Sequence, residues 1–144
     1  MKTLWILIEA LTNLAPDANE SDVRRLLQVE FLKSPSSHEY TSFYESKNLV
    51  EVNSELIIKK IDFAVKNSSS KLLRLSMSGL AKYCITREDL GKQYPDLEIF
   101  DSPRSPAPSA LGYWGITVNG RRVLFGFANA SRDCMEEVLI RYDL

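Results

Sequence analysis

Leu4, Ile8, Leu11 and Leu14 recur at intervals of three and four residues, which predicts an amphipathic helix over residues 3–14 that Pro16 stops. Ser21 is a good N-cap for a second helix. Its apolar faces would come from Val23, Leu26, Leu27, Val29 and Phe31, running until Ser34-Pro35. The period then falls to two. Tyr40 to Glu45, followed by Leu49, Val50 and Val52, are rich in aromatic and β-branched residues with polar residues between them, as strands are. Residues 55–66 end in alternation, with Ile61, Phe63 and Val65 toward one side and Lys60, Asp62 and Lys66 toward the other. Asn67-Ser68-Ser69-Ser70 predicts a turn, and Leu73, Leu75 and Met77 alternate with Arg74, Ser76 and Ser78 in a return strand.

Thr86-Arg87-Glu88-Asp89 resembles a capping box with Asp in place of Glu, starting a helix of about two turns that ends before Pro95. Leu97-Glu98-Ile99-Phe100 suits a short strand. The three prolines between Ser102 and Ser109 predict an extended, exposed loop. Tyr113, Trp114, Ile116 and Val118 lead into Asn119-Gly120, and Arg121 to Phe127 lead out, the signature of a type I′ hairpin. Glu136 to Tyr142 closes the series as a strand, with Val138 and Ile140 on one face. This order implies an α+β fold: an antiparallel sheet of about five to six strands with two N-terminal helices and one short helix packed on it.

The chain's 144 residues suit a single α+β domain spanning 1–144. With 44% hydrophobic and 26% charged residues the composition is that of a globular protein, which sets aside disordered and collagen-like classes. Lys plus Arg number 18 against 19 Asp plus Glu, a net charge of −1 spread evenly over both halves. So neutral a chain has no electrostatic footprint for nucleic acid or a membrane surface. Glu9 interrupts the first apolar run and no small-residue cleavage site follows, so the N-terminus is expected as a helix, not a secretory leader, and the protein as cytoplasmic. No apolar run approaches a membrane span. Cys84 and Cys134 lie far apart without paired spacing, which disfavours zinc. Two readings of them stay open: buried free thiols, the expectation for a chain without a leader, or a disulfide.

Catalytic constellations are sparse. The single histidine, His38, lies in a Ser-Pro-Ser-Ser-His-Glu loop, where histidines are mostly solvated bystanders. Ser68-Ser69-Ser70-Lys71 satisfies S-x-x-K, but the pattern needs a helix start inside a cleft and this one falls in a predicted turn. Phosphate-binding glycine loops and nucleophile elbows are absent from the sequence. The pairs Glu88/Asp89 and Glu136/Glu137 are adjacent and would diverge. Trp5, Phe31, Phe43, Phe63, Phe125 and Phe127 lie in apolar patterns and are expected in the core. Tyr40, Tyr44, Tyr113 and Trp114 lie near loops and charged residues, and surface Tyr, Trp and Arg are the residue types that anchor protein interfaces. Arg121 and Arg122 flank the hairpin turn and are expected to be solvated.

Three segments, Ser37-His38-Glu39-Tyr40-Thr41-Ser42-Phe43-Tyr44-Glu45, Cys84-Ile85-Thr86-Arg87-Glu88-Asp89-Leu90 on to Tyr94-Pro95-Asp96-Leu97, and Leu124-Phe125-Gly126-Phe127 on to Asp133-Cys134, resemble a pattern of small bacterial proteins. Some of these accompany polymorphic or contact-dependent toxins as immunity proteins. The resemblance spans about half the chain and carries no catalytic residues. It implies a non-catalytic inhibitor that binds one cognate toxin domain and blocks its active site, with no cofactor and no metal. It places a cysteine at both Cys84 and Cys134 and leaves their pairing open. Composition puts the binding face among Glu39, Tyr44, Glu45, Asp96, Glu98, Asp101, Arg104 and Trp114, where acidic groups would mimic phosphates toward a basic nuclease toxin. A small enzyme with a nonstandard site, or a self-assembling scaffold subunit, are the rival expectations.

Overall fold

The computed structural model describes residues 4–15, 18–33, 35, 41–52, 56–66, 70–77, 84–102, 105–129 and 134–142. Two helices come first, α1 (Leu4–Thr12) and α2 (Glu20–Leu27). α2 begins at Asn19, not Ser21, because Asn19 and Asp22 cap each other: the Asn19 side chain accepts from the Asp22 amide at 3.2 Å and the Asp22 carboxylate accepts from the Asn19 amide at 2.9 Å. The helix also ends earlier than its apolar periodicity predicts. Gln28 turns into the left-handed region at φ 56°, and its amide closes on the Arg24 carbonyl. Phe31, expected on the helix, starts β1 (Phe31–Lys33) instead. The remaining strands are β2 (Thr41–Ser46), β3 (Val50–Glu51), β4 (Ile57–Lys66) and β5 (Ser70–Met77), then β6 (Glu98–Asp101), β7 (Leu111–Val118), β8 (Arg121–Ala128) and β9 (Glu137–Arg141). Between β5 and β6 lies α3 (Arg87–Gln93), capped by Thr86 and Asp89 as its sequence predicts.

The class is α+β, but the sheet holds nine strands where five to six were expected. The short segments, including β1, β3 and β6, all join one antiparallel sheet in the order β1-β2-β4-β5-β9-β8-β7-β6, with β3 on the side of β4. Two local meanders, β2-β4-β5 and β6-β7-β8, are joined by β9, which pairs with β5 on one side and β8 on the other. The β7–β8 turn is the expected type: Asn119 and Gly120 both take positive φ, 50° and 76°.

All three described helices bury their apolar residues against one face of the sheet. Ile8 and Leu11 of α1, Val23 of α2 and Leu90 of α3 meet Ile58, Ile61, Phe63, Leu73, Leu75, Val123, Phe125, Val138 and Ile140, each at most 1% exposed. The hairpin turn docks on the C-terminal end of α1, whose last carbonyls lack helical partners. Arg121 donates to the Leu14 carbonyl at 3.4 Å and lies 5.6 Å from the Tyr142 ring, while Asn119 donates to Thr12 Oγ1 at 3.1 Å. Tyr142 donates to the Leu11 carbonyl at 2.9 Å, and burial holds its phenol well above the usual range. Arg121 is therefore a docking group, not the solvated turn residue expected of it. Cys84 and Cys134 are joined in a disulfide, so the free-thiol reading is overturned. The bond fastens the segment before α3 to the segment before β9, beside a hydrogen bond of 2.8 Å from the Met135 amide to the Ile85 carbonyl. No described helix is long and apolar enough to cross a membrane.

Candidate functional site

Successive strand residues point to opposite faces, so the register fixes what the sheet presents on the side away from the helices. Three cross-strand rows make up this open face. One runs Phe43, Ala64, Leu72, Arg141, Arg122, Thr117. The next runs Leu32, Glu45, Asp62, Arg74, Leu139, Leu124, Gly115, Glu98. The third runs Lys60, Ser76, Glu137, Gly126, Tyr113. No described helix packs on any of them.

The two halves of this face differ. Over β7, β8 and β9 it is closely packed: Leu124 and Leu139 are buried although no described helix covers them. Gly126 has no side chain to obstruct the Tyr113 ring, which crosses it so that its hydroxyl donates to Glu137 Oε1 at 2.9 Å. Gly115 admits Phe100 and Leu124 in the same way, and the Arg122 guanidinium lies 5.4 Å from the Phe100 ring. Over β2, β4 and β5 the face is an open depression of about 340 Å³ with Phe43, Ala64 and Leu72 as its apolar floor and Glu45, Lys60, Asp62 and Arg74 around it. Lys60 lies 3.8 Å from Glu45 and 3.7 Å from Asp62, and Arg74 lies 3.4 Å from Glu137. An apolar centre ringed by charges of both signs is the anatomy of a protein-binding patch.

The candidate residues divide between faces and ends. Glu45 stands on the open face and is exposed; its neighbour Tyr44 points to the helix side, half-buried, with its ring 6.4 Å from Phe31 and 6.5 Å from Phe63. Trp114 also faces the helix side, under the Arg87 guanidinium at 4.8 Å. Asp96 and Glu98 are exposed, and Asp101 pairs in register with Tyr113. The sheet therefore brings Asp96, Glu98, Asp101 and Trp114 together at the β6–β7 end. Tyr44 and Glu45 are five strand steps away from β7, about 24 Å along the sheet. Glu39 and Arg104 lie outside the described residues, as do His38, Tyr40 and Ser68. Phe43, expected in the core, sits on the open face opposite Ala64, because its odd position is one step out of phase with Tyr44.

Lys71, the lysine of the S-x-x-K match, is buried on the helix side and donates to the Ala18 carbonyl, tying the chain just before α2 to β5. Tyr94 lies between Trp5 and Phe125, and its phenol is pushed up to about 12 by burial and then by the charge of Glu9. Among the described residues no group of three or more His, Cys, Asp and Glu side chains is placed to hold a metal ion. Sequence reasoning set Lys60, Asp62 and Arg74 opposite the apolar side of their strands but did not count them, Leu72 or Glu137 among the binding residues. The signal was present in the alternation of Lys60, Asp62 and Ala64 with Ile61, Phe63 and Val65. Compared with protein-family models, curated proteins and solved structures, the chain matches none of them.

Proposed function

We propose that this chain is a non-catalytic, toxin-neutralising immunity protein that binds a cognate toxin domain and blocks it. The observation that supports the reading is the open face: nine strands, all three described helices on the other side, and an apolar floor ringed by Glu45, Lys60, Asp62 and Arg74. An inhibitor needs shape and charge complementarity and no reactive group. The carboxylates of Glu45, Asp62 and Glu98 supply charge where a basic nuclease toxin would hold phosphates. Lys71 already holds a structural carbonyl, which weighs against the acyl-transfer alternative.

Co-expression of the tagged protein with its neighbouring open reading frames, followed by mass analysis of what is retained, tests the reading. One stoichiometric partner, toxic alone and harmless beside this protein, is the expected result; a protein that protects no cell from any neighbour's product contradicts it. Charge reversal at Glu45 and at Asp101 is expected to slow association with that partner, most at low ionic strength. The proposed cytoplasmic location and the disulfide make opposite predictions, since disulfides persist in oxidising compartments and are rare in the cytosol. Alkylation of free thiols at the moment of lysis decides between them: no labelled cysteine places the protein, with its bond formed, in an oxidising compartment, whereas two labelled cysteines place it in the cytoplasm with the bond forming only on later exposure to oxidant.

A further inference from the structure

The sheet path ends on β6, which pairs with β7 on one side and with no described strand on the other. Its sequence is Glu98-Ile99-Phe100-Asp101. Ile99 is 65% exposed and Phe100 45%, an unusual pair of apolar groups to leave on an edge, where unpaired backbone groups invite a further strand. As successive strand residues they point to opposite faces: Ile99 stands opposite Trp114 on the helix side, and Phe100 lies over Gly115 on the open side. Carboxylates bracket them, Asp96 and Glu98 before and Asp101 after, and no ion pair among the described residues reaches Asp96 or Glu98. Two guanidinium groups stack on rings here, Arg87 on Trp114 and Arg122 on Phe100, and they are carried by α3 and β8.

This charge pattern selects among occupants. A second copy pairing antiparallel about the Ile99–Phe100 midpoint would set Glu98 opposite Asp101 twice, and like charges directly across a pair of strands repel. A strand with apolar residues at its centre and Lys or Arg at both ends meets the edge with opposite charges, and its main chain completes the unpaired ladder. We propose that the β6 edge takes such a basic-ended β-strand from a protein partner. This goes beyond the protein-binding reading above, whose depression lies toward the other end of the sheet, and rests on it only for the partner's identity.

Two synthetic peptides of about ten residues test it, both alternating valine and threonine, one with lysines at its ends and the other with glutamates. The expected result is that the lysine-ended peptide binds the intact protein about tenfold tighter and slows amide exchange across Glu98–Asp101. The double variant E98K/D101K, unchanged in melting temperature, is expected to reverse the preference. Equal affinity for both peptides, or no slowing of exchange at β6, overturns the proposal, as does a concentration-dependent dimer that protects the same amides. The peptides probe the edge alone and co-expression probes the immunity role, so each can fail without the other.

Discussion

The two faces of the sheet are read from the same strands, one residue apart, yet they answer to different demands. On the helix side Ile61, Phe63, Leu73, Leu75, Val123, Phe125, Val138 and Ile140 are sealed under α1, α2 and α3. On the open side the intervening residues are Asp62, Ala64, Leu72, Arg74, Arg122, Leu124, Glu137 and Leu139, charged and apolar in alternation. The first set holds the fold through burial of apolar surface. The second sets polar and apolar groups side by side, closely packed over β7, β8 and β9 but open over β2, β4 and β5, where the arrangement is costly for a face meant only for water and useful for a face meant for a partner.

The largest effect should come from the sealed side. Phe125→Ala is expected to cost about 3 to 5 kcal/mol in urea denaturation, because the ring is fully buried and stacked near Tyr94. Phe43→Ala on the open side should cost about 1 kcal/mol; equal costs would erase the distinction between faces. Cys84→Ser with Cys134→Ser opens a loop with a sequence separation of 50, worth about 4 kcal/mol in the chain-entropy description, and the loss should be matched by adding reductant to the parent protein.

A pair of glycine substitutions sharpens the picture of the open face itself. At Gly115 a Cβ would meet Leu124 Cδ2 at 2.9 Å and Phe100 Cβ at 3.4 Å, so Gly115→Ala should destabilise by about 1 to 3 kcal/mol. Gly91 in α3 has nothing within 4 Å, and Gly91→Ala should stabilise by about 0.5 to 1 kcal/mol. Thermal melts of the two would show that the β7–β9 half is packed although no described helix covers it. Arg74→Ala, at an ion pair that is partly solvated, should cost under about 1 kcal/mol of stability. The smallest effect is that of pH, which through the helix-side phenols is nil near neutrality. Tyr94 and Tyr142 both have folded pKa values raised above 10, so their contribution is complete below pH 10 and is lost as pH rises toward about 12 and beyond. Unfolding followed by circular dichroism against phenolate absorbance should show ionisation of these two rings only as the fold opens.

Much of the fold was legible because period and capping are local. Thr86 with Asp89, Asn119-Gly120, and the alternation from Ile61 to Val65 each specify their element with neighbouring residues alone. The end of α2 was not, since Val29 and Phe31 continue a helical spacing that only Gln28's left-handed turn and the pairing of Phe31 with Ser46 overrule. Nor was the strand count: the short strand expected over 97–100 is there as β6, but β1 continues a helical spacing until its pairing with β2 is known, and β3 is only two residues long. The disulfide depends on two segments brought together by β9. The candidate face was half legible: Glu45 and Glu98 share the open side, whereas Tyr44 and Trp114 fall on the other by the parity of their positions, which a list of exposed residue types does not weigh.

The direct test of the open face as the docking surface compares two double variants against the partner retained on co-expression. Phe43→Asp with Arg74→Glu alters the open side; Ile6→Asp with Leu49→Asp alters exposed apolar residues of α1 and of the loop beside β3, 58% and 57% exposed. With both folded, the first should weaken binding by about a hundredfold and abolish protection from the toxin while the second leaves both intact. Unchanged binding in the first, or loss confined to the second, would contradict the assignment.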